Sequence, residues 1–263
     1  MSTKIKLFQV DAFSSKVFHG NPAAVCVLDE WIEGEKMQNI AGENNLAETA
    51  FIVKKDNDFE IRWFTPTVEV DLCGHATLAA AYVLFKYYNY PSGIIHFHSR
   101  HSGLLSVEKN GANLTLDFPT DNYNEVNTPK ALIAALGATP IKTYKGKTDF
   151  LLHFSTQQEI EDLHPDFNLL STVDCRGIIV TAAGTNVDFV SRFFAPQSGI
   201  NEDPVTGSAH TTLIPFWSKI TGKNNLTAKQ LSKRQGDLTC EYRGDRVKIT
   251  GQAVTYLQGE IEI

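Results

Sequence analysis

Cysteine is scarce in this chain of 263 residues: four in all, and Cys26, Cys73, Cys175 and Cys240 form no CxxC pair. That spacing argues against a structural zinc site and against a disulfide framework, and fits a reducing compartment, so a cytoplasmic location is expected. Long basic runs are also missing. Lys and Arg number 24 against 30 Asp and Glu, a formal net charge of −6, whereas nucleic-acid binding rests on Lys and Arg neutralising phosphates. No nucleic-acid partner is therefore expected. The longest apolar run, Ala76 to Phe85, is about half of what a membrane span needs. The first six residues lead straight into an alternating pattern with no signal-peptide hydrophobic region. The expectation is a soluble protein without a membrane partner. Its 42% of hydrophobic residues suffice for one large core or two medium ones.

What is present is a repeat. Arg62-Trp63-Phe64-Thr65-Pro66 recurs 130 residues later as Arg192-Phe193-Phe194-Ala195-Pro196. Each copy runs on to a glycine that opens a small-residue, then apolar stretch: Gly74-His75-Ala76-Thr77-Leu78 and Gly207-Ser208-Ala209-His210-Thr211. A third block aligns Gly103, Leu105, Glu108 and Gly111 with Gly236, Leu238, Glu241 and Gly244. Three matched blocks in one order mark a duplicated half-unit, far longer than a solenoid repeat. What the copies fail to share should mark the chemistry.

Apolar alternation predicts strands over residues 4–13, 23–28, 50–54 and 60–64, and an amphipathic helix over 33–44. Residues 74–85 are apolar on every side, the pattern of a buried helix. Residues 208–217 are read as its counterpart, and Pro215 fits there if that helix is short, kinked or ending. Asn110-Gly111 predicts a hairpin between 104–107 and 114–118, echoed around Gly244. The polar, aperiodic stretch from Pro119 to Pro129 is the natural linker. It separates an N-terminal lobe, 1–119, from a C-terminal lobe, 120–252, and the tail 253–263 reads as a strand open to either lobe, the first included. The expected class is α+β: two pseudo-symmetric lobes, each a curled, barrel-like sheet around a central buried helix.

Amides at the start of a buried helix must be capped or must bind something. Next to Gly74 and Gly207 they offer donors and a positive dipole end to a small carboxylate, worth ~0.3–1 kcal/mol per charge. The plainer alternative is that Thr77, Asp203 or Ser208 caps the helices. The copies differ at Asp71–His75 and Asn201–Ser208, which makes His75 and Asp203 the natural acid/base pair. Cys73 is either a thiolate activated at a helix start or a small buried hydrophobe. Glu48 places a charge against an apolar strand start, where a partly desolvated carboxylate serves as a base. Its alternative is a solvated glutamate on a turn. His96, His98 and His101 look like a metal set, but no Asp or Cys completes it; they are read as ordinary strand residues, and no metal is expected.

Six blocks, in order along the chain, resemble the PhzF-like phenazine-biosynthesis isomerase family: Gln9–Phe13, Gly20–Val25, Asn45–Phe51, Arg62–Pro66, Asp71–Thr77 and Glu202–His210. Thr211-Thr212 departs from relatives that often carry cysteine there. The resemblance implies the diaminopimelate-epimerase-like fold, an active site between the lobes, no metal or organic cofactor, and a homodimer. It further implies Glu48 as general acid/base, helped by His75, Asp203 and Ser208. Gly74 and Gly207 would offer backbone amides to the substrate, and Asn21 would line the same cleft. The namesake acts on a dihydro-hydroxyanthranilate; the resemblance implies the chemistry rather than that molecule. More distant cousins, the diaminopimelate epimerases and proline racemases, use one cysteine from each lobe. Cys73 matches the first, but no cysteine lies between Asn201 and Thr212, so one-sided proton transfer within a small carboxylic acid is expected. The alternatives are a catalytically weak carboxylate-binding protein and a racemase or epimerase using Cys73.

Overall fold

Alternating apolar residues send Ile5 and Leu7 of the first strand inward, and beyond a register shift between Gln9 and Val10 the buried residues include Val10 and Ala12. The computed structural model describes residues 3–263. They fall into two units, the first running to Asp117 and including Thr250–Ile263, the second spanning Phe118–Ile249.

The first unit contains β1 (Lys4–Ala12), β2 (Asn21–Leu28), α1 (Gly34–Asn44), β3 (Glu48–Lys55), β4 (Asp58–Phe64), β5 (Glu69–Val70), α2 (Gly74–Tyr87), β6 (Ile94–Ser99), β7 (Gly103–Asn110) and β8 (Asn113–Pro119). The second contains β9 (Asn124–Val126), α3 (Lys130–Leu136), β10 (Lys142–Lys145), β11 (Asp149–His153), α4 (Gln157–Glu161), α5 (Phe167–Leu170), β12 (Gly177–Ala183), β13 (Phe189–Phe194), α6 (His210–Thr221), β14 (Asn225–Gln230), β15 (Gly236–Tyr242) and β16 (Arg246–Gly251), with β8 and β16 each crossing the division by two residues. The chain ends in β17 (Ala253–Glu262), which returns to the first unit and pairs antiparallel with β1 from Lys4–Glu262 to Ala12–Ala253.

In the first unit the strands run β17-β1-β2-β3-β4-β6-β7-β8, parallel at β2–β3 and β4–β6 and antiparallel elsewhere. In the second they run β9-β10-β11-β12-β13-β14-β15, parallel at β11–β12 and β13–β14. Thus β2-β3-β4-β6-β7 and β11-β12-β13-β14-β15 show one succession of parallel and antiparallel pairings. The class is α+β, with curled sheets that do not close. Helix α2, buried on nearly all sides, packs on β1, β2, β3, β7 and β17.

The repeated Arg-aromatic-Phe block has a structural cause. Residues two apart on a strand share a face. Arg62 therefore lies over the Phe64 ring at 5.1 Å and holds Glu69 through two bonds of 2.7 Å. Arg192 lies over Phe194 at 5.0 Å and holds Glu202 at 2.7 and 3.0 Å.

Two expectations need correction. The 119–129 linker contains β9, because its polar residues pair with β10. The second buried helix starts at His210, not Ser208: residues 210–212 donate to the carbonyls three positions back, a tighter turn that delays the helix. As expected, it runs on past Pro215, and it extends to Thr221. Proline removes the amide that would bond the carbonyl of Thr211, and the Asp121 amide takes that carbonyl instead, at 3.2 Å.

Candidate active site

In the first unit, Glu48 opens β3, Asn21 opens β2, and Cys73 precedes the first residue of α2, Gly74. The parallel β2–β3 register sets Glu48 beside Ala23, so both strand starts lie at one end of the sheet. Glu48 is not a solvated turn residue: its side chain is 13% exposed and its Oε2 lies 3.2 Å from His75 Nε2. Both atoms are buried and lack a hydrogen-bond partner within the protein. Buried polar atoms are rarely left so. On the ring's other edge, His75 Nδ1 faces Asn21 Nδ2 at 3.1 Å and Cys73 Sγ at 3.5 Å.

Burial pushes the Cys73 thiol up to about 11, with the Glu48 carboxylate adding to the rise. At neutral pH it is S–H, which favours the small buried hydrophobe over the activated thiolate. Burial opposes charge on His75, and a Cys73 thiolate together with the Glu48 carboxylate would outweigh it and move its pKa well above the ordinary histidine value; with Cys73 as S–H the larger of those two raising causes is absent, and burial is set against Glu48. No side chain caps α2; the Thr77 hydroxyl donates back to the Cys73 carbonyl at 2.5 Å instead. Of the described residues, only Glu48, Cys73 and His75 bring three potential metal-ligand atoms within 4.8 Å of one another. His75 turns Nε2 to the carboxylate and Nδ1 to the thiol. His98 and His101 pair instead with Asp58 and Asp71, as ordinary surface groups do.

In the second unit, Asp203 is buried and accepts from the Thr206 hydroxyl, while Gln230 donates to the Asp203 carbonyl at 2.8 Å. Gly207 lies in the turn before α6 rather than at its first residue. Ser208 Oγ accepts from Arg176 at 3.0 Å, and Arg176 is gripped by buried Asp149. No side chain caps α6, so neither Asp203 nor Ser208 serves as its cap. Sequence reasoning missed Arg176 and Asp149. The signal was in the repeat: aligning Phe64 with Phe194 sets Thr49, the partner of Phe64, against Ile178, the partner of Phe194. Glu48 then matches Gly177, the residue after Arg176. A Cβ on Gly177 would lie 2.1 Å from Phe193 Cζ, so in the second unit the Phe193 ring fills the space that a side chain would need where the first carries its carboxylate.

The profile of the phenazine biosynthesis-like protein family, PhzC-PhzF, matches residues 10–259. The chain belongs to that family. A Pseudomonas aeruginosa protein named an uncharacterized isomerase is 48% identical over 260 residues, covering 99% of this chain and all of that protein. The crystal structure of a PhzF-family phenazine biosynthesis protein from Enterococcus faecalis superposes with a TM-score of 0.95 at 46% identity, over 99% of this chain and 100% of that one. A hydroxyproline epimerase from Agrobacterium vitis, at 11% identity and a TM-score of 0.64 over 99% and 93% of the two chains, shares the fold alone. This PhzF-family chain is an isomerase, the class its full-length curated relatives carry in their names. None of its described helices is long and apolar enough to cross a membrane.

Proposed function

We propose that this isomerase, working without a cofactor, relocates a proton within a small carboxylic acid, with Glu48 as the general acid/base. The observation that carries the reading is the buried Glu48–His75 pair, 3.2 Å apart and without hydrogen-bond partners in the protein. A reacting substrate would supply those partners. Glu48 takes a proton from carbon and returns it at another position, or a relay through His75 and Asp203 returns it. Ser208 assists as a hydroxyl donor, because its oxygen already accepts from Arg176. The amides at Gly74 and Gly207 hold the substrate carboxylate, and Asn21 lines the site. The working form is a homodimer in the cytoplasm.

The test is solvent-deuterium exchange into an acid found by a thermal-shift screen of small carboxylic acids and aromatic amino acids. Glu48→Gln should lower exchange by ~10²–10⁴-fold; exchange that survives the change overturns the assignment. A wild type that binds the acid without exchanging it would be a binding protein instead. The racemase reading, with Cys73 as a base, draws on the Cys73–His75 contact. It is disfavoured by a thiol held at about 11. Cys73→Ala should therefore have a modest effect on exchange, where the racemase reading requires its loss.

A further inference from the structure

Asn21 is completely buried, and its Nδ2 approaches His75 Nδ1 at 3.1 Å. An amide nitrogen can only donate, and a neutral thiol has one hydrogen to give. Cys73 is that thiol, 3.5 Å from the same Nδ1. The amide therefore points a hydrogen at this ring nitrogen, and the thiol, which can give or accept one, fits the same arrangement by giving its own. A hydrogen on Nδ1 would meet the amide's head-on, so Nδ1 carries its lone pair and the ring's single proton sits on Nε2, beside Glu48 Oε2. The Glu48 carboxylate works in the opposite sense, since an anion at this distance favours a fully charged imidazolium.

We propose that Asn21 is a positioning residue whose amide N–H holds His75 as the neutral Nε2–H tautomer against the field of Glu48. The ring then offers one directed hydrogen on the side of Glu48, and the carboxylate is not tied up by a full positive charge. Adding a second proton requires the Asn21 amide to turn its oxygen toward Nδ1. The catalytic meaning rests on Glu48 being the base, but the tautomer does not.

The experiment is long-range ¹H–¹⁵N correlation NMR of ¹⁵N-histidine-labelled protein at neutral pH, with the His75 ring assigned by its loss in His75→Gln. In the wild type, Nδ1 should resonate as an unprotonated nitrogen and Nε2 as a protonated one. Asn21→Asp keeps the shape but replaces the donor by an acceptor, and should shift Nδ1 into the protonated range. A protonated Nδ1 in the wild type, or an unchanged ring in Asn21→Asp, overturns the proposal. If Asn21→Asp does not fold, the wild-type spectrum decides alone. No substrate is involved, so failure here is distinct from failure of the Glu48 assignment, which deuterium exchange reads.

Discussion

Glu48 and Gly177 occupy matching register positions in two copies of one strand pair, yet one carries a carboxylate and the other lies against the Phe193 ring, which would have to move for a Cβ. Chemistry at this scale depends on single side chains and their immediate neighbours. His210 gives a second case. It is fully buried, its Nδ1 faces the Thr206 carbonyl at 2.8 Å, and burial lowers its pKa from 6.5 to about 4. A depressed folded value means that the unfolded chain binds the proton first as the solution is acidified. The contribution to stability is complete above about pH 6.5 and is lost as pH falls through 4, about 3 kcal/mol in all. Urea unfolding across this window should show that loss, and His210→Asn should flatten the slope there.

At the scale of elements, the duplicated arginines should differ in weight. Arg62 forks onto Glu69, whereas Arg192 forks onto Glu202 and also donates to the carbonyls of Ile160 and Leu163 at 3.0 and 2.8 Å. Lysine keeps the charge but cannot reproduce a planar fork. Arg192→Lys should therefore cost about 2–4 kcal/mol of unfolding free energy and Arg62→Lys about 1–2; equal costs would place the weight in the stacking on Phe64 and Phe194. Helix α6 makes a related point. Its internal proline is tolerated because Asp121, distant in sequence, takes the carbonyl of Thr211 that the missing amide leaves open.

For the whole molecule, the decisive feature is that the first unit is built from both ends of the chain. Thr3 and Ile263 exchange two backbone hydrogen bonds, of 2.9 and 3.0 Å, so β17 could lead into β1 through a short turn. A single chain of residues 250–263, a short Gly/Asn turn and residues 3–117 should fold on its own, because it restores the β1–β17 ladder in sequence order. Residues 1–117 alone should not, because β1 would lose that partner. Circular dichroism and amide-proton dispersion of the two fragments check this; two folded fragments would show the ladder to be dispensable.

Much of this protein was legible before folding was considered. The all-apolar helix over 74–85 and the strand pattern follow from local periodicity and composition, which act over a few residues and can be read along the chain; the difference between the two repeat copies marked His75, and the family resemblance, rather than periodicity, marked Glu48. Other features came only with tertiary structure. A carboxylate at a strand start is solvated or buried according to what packs over it. Asn21 and His75 meet across 54 residues of sequence, and β9 pairs with β10 although its own residues show no strand pattern. The tail read equally well as a strand of either lobe until β1 offered its free edge. Periodicity determines which face of an element is buried. Only the folded chain decides which polar atoms share that burial, because hydrogen-bond partners are chosen by distance in space and not along the sequence.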